Sequence, residues 1–121
     1  MHGRMIYLWI ALGGALGAMA RFGVGQIVVF PFGTLTVNVL GSFFMGLAYV
    51  YFATRLGDRV PLMVMGGFLG AFTTFSAFSL DVMKLVDAER LAFALGYIVL
   101  SVSLSVIAVF AGVALAKGAW S

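Results

Sequence analysis

Few side chains in this sequence could do chemistry, and most of them lie inside long apolar runs. Thr34, Asn38 and Ser42 recur at intervals of four, and so do Tyr97, Ser101 and Ser105. That interval places each set on a single helical face, so the chain carries two polar stripes. Arg21 stands alone in an apolar run, and residues 70–79 read Gly-Ala-Phe-Thr-Thr-Phe-Ser-Ala-Phe-Ser. Amide, hydroxyl and guanidinium groups donate hydrogen bonds, and an aromatic ring has a positive edge. These groups suit the handling of a small anion. They do not suit bond-making chemistry, since no nucleophile stands with a base and no acid–base pair is within reach. The chain has no cysteine and one histidine, His2, which excludes a thiolate site and leaves no His-based metal site or triad. Asp58, Asp81, Asp87 and Glu89 all fall in connectors or at the ends of apolar runs, so no carboxylate is expected within a bilayer.

Each of these features also has a structural reading. Arg21 either snorkels to the interface along its stem or forms an electropositive mouth. Asn38 either bonds a neighbouring helix or lines a polar path, and the Tyr97–Ser101–Ser105 stripe has the same two options. Phe75 and Phe78, three apart, project beside each other, either as packing or with their edges toward an anion. The crowding of glycine, serine and threonine through 70–79 makes poor regular helix. Irregular backbone at membrane depth survives where it is buried in protein or lines a polar cavity, and its freed carbonyls can bind a cation.

The elements that must position these residues follow from composition. Of 121 residues 64% are hydrophobic, and 9% are charged against about 25% in an ordinary soluble domain. There is too little polar surface for a soluble globule and too much apolar content for disorder. The net charge of +3 is scattered, so no nucleic-acid surface is expected. A spanning helix needs about 20 apolar residues. Turn formers and charges divide the chain into four such spans, at about 5–29, 34–53, 61–80 and 91–116. The polar turn 54–60 and a connector at 81–90, holding five of the eleven charges, separate the later ones. The prediction is an all-α membrane protein with one four-helix transmembrane domain over 1–121, its third helix broken at Gly70–Ser79. The first span is too long, and too closely followed by others, to be a cleaved signal. Gly13/Gly17 and Gly66/Gly70 are GxxxG pairs that permit close helix contact and oligomerisation.

Orientation is set by Lys and Arg near helix ends. Arg4, Arg55, Arg59 and Lys117 fall on one side, Arg21, Lys84 and Arg90 on the other. Four against three is almost no bias, which leaves insertion in both directions, and hence an antiparallel homodimer, open.

Three segments carry a family resemblance. Residues 70–79, the run Gly13-Gly14-Ala15-Leu16-Gly17-Ala18-Met19-Ala20-Arg21, and Gly33-Thr34-Leu35-Thr36-Val37-Asn38 together resemble the Fluc (CrcB-type) fluoride channels. The likeness covers all four spans in order. It implies a dual-topology antiparallel homodimer in the plasma (inner) membrane, with two fluoride pores and a structural Na+ at its centre. Carried over by the resemblance, Gly70 and Thr73 supply backbone carbonyls to the sodium ion. Asn38, Phe75, Phe78, Thr34, Tyr97, Ser101 and Ser105 match the fluoride pore, and Arg21 matches the vestibule. Ala77 stands where a hydroxyl residue is frequent, and Asp81 where a glutamate is frequent.

The expected activity is passive, selective export of cytoplasmic fluoride, without catalysis or an organic cofactor. The partners implied are fluoride, lipid and a second copy of the chain. The alternatives are a small dual-topology exporter of organic cations, which normally needs an acid within the bilayer, and a membrane subunit whose polar stripes only join helices.

Overall fold

A computed structural model describes residues 2–53 and 59–120. The described residues are helical apart from short links. α1 (His2–Ile27) and α2 (Phe32–Ala53) are joined by a tight turn at 28–31, closed by Phe32 N–H donating to the Val29 carbonyl at 2.8 Å. α3 (59–72) begins as Arg59–Pro61, is wound more widely over Leu62–Leu69, and ends as Gly70–Phe72. The Gly70 N–H reaches the carbonyls of Gly67 and Met65, the latter five residues back, as in π-type winding. Thr73 is extended (φ −85°, ψ 158°), and helical winding resumes in α4 (Ser76–Asp87). α5 (Leu91–Trp120) completes the chain.

Four stretches of 25, 22, 26 and 29 residues, Gly3–Ile27, Phe32–Ala53, Leu62–Asp87 and Leu91–Ala119, are long and apolar enough to cross a bilayer. The polar turn expected at 54–60 falls mostly outside the described residues. The connector expected at 81–90 is corrected: α4 continues to Asp87, and only 88–90 link it to α5. The stop is a Schellman motif, in which Glu89 N–H bonds the Val86 carbonyl and Arg90 N–H bonds the Leu85 carbonyl, both at 2.9 Å. Glu89 takes the left-handed position, φ 59°, that glycine usually fills. With no glycine there, the stop carries no glycine signal, and five charges in ten residues read as a loop.

Two close helix pairs build the scaffold. α1 lies against α3 where Gly13 and Gly17 expose bare backbone to Met63 and Phe68. On the α3 side the facing glycine is Gly67, whereas Gly66 of the expected Gly66/Gly70 pair has nothing near it. α2 lies against α5 through a reciprocal contact, Gly46 on the Val109 carbonyl and Gly112 on the Phe43 carbonyl. α4 packs on α5 through a buried cluster of Phe78, Leu85, Ala94 and Tyr97, flanked by Leu35 and Val82. Leu95, Val99, Ile107 and Phe110 on α5 face outward, as suits a helix in lipid.

Candidate functional site

The interruption between α3 and α4 brings two helix ends together. Carbonyls at the end of α3 carry partial negative charge, and N–H groups at the start of α4 carry partial positive charge. The segment is held from α2. Asn38 Oδ1 accepts from the Thr74 N–H at 2.8 Å, and Asn38 Nδ2 donates to the Thr74 carbonyl at 3.0 Å. One side-chain amide therefore satisfies both backbone groups of Thr74, as an adjacent β-strand would. Thr74 in turn caps α4, its Oγ1 accepting from Ala77 N–H at 3.1 Å. Thr73 N–H and Oγ1 both donate to the Leu69 carbonyl, at 3.1 and 3.0 Å. Arg21 Nε donates to the Ala71 carbonyl at 3.1 Å, giving that α3-end acceptor a charged partner.

A groove of about 430 Å³ runs beside this segment. Asn38 and Ser42 of α2 line one wall, Gly70 and Thr73–Phe75 the base, and Phe78, Ser101, Val102, Ser105 and Val106 the rest. Phe75 is 75% exposed in the isolated chain, while Phe78 is 7% exposed. Their rings lie 5.5 Å apart at 47°, and Phe78 in turn lies 5.4 Å from Tyr97. Ser101 is 3% exposed and stands beside the Tyr97 hydroxyl.

A second, smaller cavity of about 180 Å³ holds Arg21, Gln26, Thr34, Thr74 and Ala77. Thr74 lines both cavities, so the Asn38-held peptide stands between them. Of the residues expected at a pore, the groove gathers Asn38, Phe75, Phe78, Ser101 and Ser105. Thr34 sits with Arg21 instead. Tyr97 is buried behind Phe78, its hydroxyl 3.1 Å from Asp81 Oδ2 and 3.3 Å from the Pro31 carbonyl. Asp81, expected in the connector, instead lies within α4 and is 8% exposed. Its hydroxyl partner sits 16 residues away, so no local pattern marks the pair. Thr74 and Gln26 were missed as well. Thr74 lies inside the quoted 70–79 run, and its threonine two residues before a helix start was an available capping signal.

A model of the family "CrcB-like protein, Camphor Resistance (CrcB)" matches residues 8–113. The chain belongs to the CrcB family. Its relatives include the "Fluoride-specific ion channel FluC" of Paracoccus denitrificans (strain Pd 1222), 47% identical over 117 residues, covering 93% of this chain and 94% of that protein. The protein of the same name from Hahella chejuensis (strain KCTC 2396) is 46% identical over 118 residues, covering 91% and 93%. That of Cereibacter sphaeroides (strain ATCC 17029 / ATH 2.4.9) is 47% identical over 117 residues, covering 92% and 94%. CrcB proteins are ion channels rather than enzymes, and the four apolar helices make this one a multi-pass membrane protein, of the inner membrane in a bacterium. CrcB membership sets aside a cation exporter.

Proposed function

We propose that the chain is a passive, fluoride-selective channel that releases cytoplasmic fluoride. One observation carries the reading: Asn38, the Phe75–Phe78 ring pair and two serines of α5, Ser101 and Ser105, line one groove. Fluoride is small and strongly hydrated, so a pore must replace lost water with hydroxyl and amide donors and positive ring edges. Each contact must also be weak enough for the ion to leave. The Asn38 amide spends one of its two N–H groups on Thr74, which leaves the second for a groove ligand. Outside, hydrogen fluoride crosses lipid as a neutral acid and dissociates in a less acidic cytoplasm. An inside-negative potential then favours exit by about 2.3 kcal/mol per charge per 100 mV.

The finer reading is an antiparallel, dual-topology homodimer with two pores. The four-to-three Lys/Arg distribution supports it, as does the groove, open on the side where Phe75 is exposed. A second copy laid across that side would enclose the path. A central Na+ belongs to the same reading, and the donor set fits it. Thr74 N–H, the helical donor for Gly70, goes to Asn38, and Ala77 N–H, the helical donor for Thr73, goes to Thr74 Oγ1. The Gly70 and Thr73 carbonyls are thus left without their helical donors at the negative end of α3, where hard oxygen ligands favour a small cation.

The test is efflux from liposomes containing the purified protein, driven by a valinomycin-set potassium potential, with fluoride and chloride measured in parallel. Fast fluoride release with negligible chloride release is expected. No fluoride release from a folded preparation would overturn the reading.

A further inference from the structure

Six of the seven carbonyls from Leu69 to Phe75 account for the chemistry of the interruption. Leu69 accepts from Thr73, Ala71 from Arg21, Thr74 from Asn38, and Phe75 from the N–H and hydroxyl of Ser79. In an unbroken helix Thr74 N–H would bond Gly70, and Ala77 N–H would bond Thr73. Both donors are instead drawn off by side-chain oxygens, Asn38 Oδ1 at 2.8 Å and Thr74 Oγ1 at 3.1 Å. Each of these bonds competes directly with closure of one helical turn. Without its side-chain acceptor, each part-buried N–H loses the partner that draws it off from the helical carbonyl.

We propose that Asn38 and Thr74 are the positioning residues of the cation site: by capturing the Thr74 and Ala77 N–H groups they keep the Gly70 and Thr73 carbonyls free to bind a small monovalent cation. The proposal rests on the reading of a central Na+ given above. It assigns Asn38 two tasks through two different atoms. The Oδ1 acceptor serves the cation site by holding Thr74 N–H, while the Nδ2 donor serves Thr74 and the groove. The two atoms can therefore be separated by substitution.

The experiment reads the thermal stability of the purified protein in detergent as NaCl replaces N-methylglucamine chloride at fixed ionic strength and protein concentration. The sodium concentration giving the half-maximal shift is the observable, and fluoride efflux is measured alongside. Thr74→Val is isosteric but offers no acceptor to Ala77 N–H, and Asn38→Leu offers none to Thr74 N–H. Both are expected to raise the half-maximal sodium concentration at least tenfold. Thr74→Ser keeps the hydroxyl and Asn38→Asp keeps the acceptor oxygen, and both are expected to stay within about threefold of wild type. Asn38→Asp is expected to lose fluoride flux nonetheless, since it has lost the amide donor. A wild-type sodium response in Thr74→Val or Asn38→Leu would overturn the positioning role. A wild type indifferent to sodium would overturn the cation site itself. Sodium-dependent stability in a wild type without fluoride flux would sink the channel reading and leave the positioning role standing.

Discussion

Replacing Gly112 by alanine tests the reciprocal contact that holds α5 against α2. A methyl group built at Gly112 meets the Phe43 carbonyl oxygen and lies 3.1 Å from both Leu47 N and Phe43 C. One built at Gly46 meets the Val109 carbonyl oxygen and lies 2.9 Å from Val113 N. All these partners are backbone atoms, so no rotamer change relieves either contact. To restore ordinary separation the helices must part by on the order of 1 Å, which forfeits a quarter to a half of each dispersion contact along the seam. Overpacking of this kind costs about 1–3 kcal/mol. Gly112→Ala and Gly46→Ala should each lower stability by that amount in denaturant titrations at fixed protein concentration. The double variant should lose clearly less than the sum, because one separation accommodates both methyl groups. Fluoride efflux should also fall, since Ser101 and Ser105 on α5 move away from Asn38 on α2. A Gly112→Ala protein as stable as wild type, or strictly additive losses, would refute the backbone-to-backbone contact.

Phe75→Ile should cut fluoride efflux at least tenfold while leaving the helical fold of each chain intact by circular dichroism, because the ring is largely exposed within the chain. Phe78→Ile should cut efflux similarly but also cost about 0.5–3 kcal/mol in the same titration, since Phe78 is packed against Tyr97. Tyr97→Phe removes the hydroxyl that meets Asp81, at an expected cost of about 1–3 kcal/mol for a buried acceptor left unpaired. That cost should shrink in an Asp81→Leu background, which a double-mutant cycle would measure. Glu89→Gly should stabilise by up to about 1 kcal/mol, as glycine relieves the left-handed conformation in the Schellman turn. Thermal unfolding in detergent would register the gain.

The four apolar helices were legible because hydropathy and length are properties of consecutive residues, and a bilayer demands both. Asn38, Ser101 and Ser105 stood out for the same local reason: a polar group in an apolar run is visible wherever the helix later packs. Other features were not legible, since they depend on which distant residues meet. The sequence shows Arg21 as a lone charge; its bond to the Ala71 carbonyl joins positions fifty residues apart. Asp81 looked like the first charge of a loop because nothing nearby announces that Tyr97 and the Pro31 carbonyl close over it. The α4 stop was invisible because a glutamate occupies the position where glycine would have marked it. Thr34 and Asn38 share a helical face, yet they line different cavities, because the Thr74 peptide comes between them. Composition and periodicity alone thus determined a membrane protein of four helices with polar groups at depth. Only the tertiary structure decided what those groups do with their hydrogen bonds. A single amide on α2 can capture a peptide between α3 and α4 only after the helices have packed, and no spacing along one helix encodes that meeting.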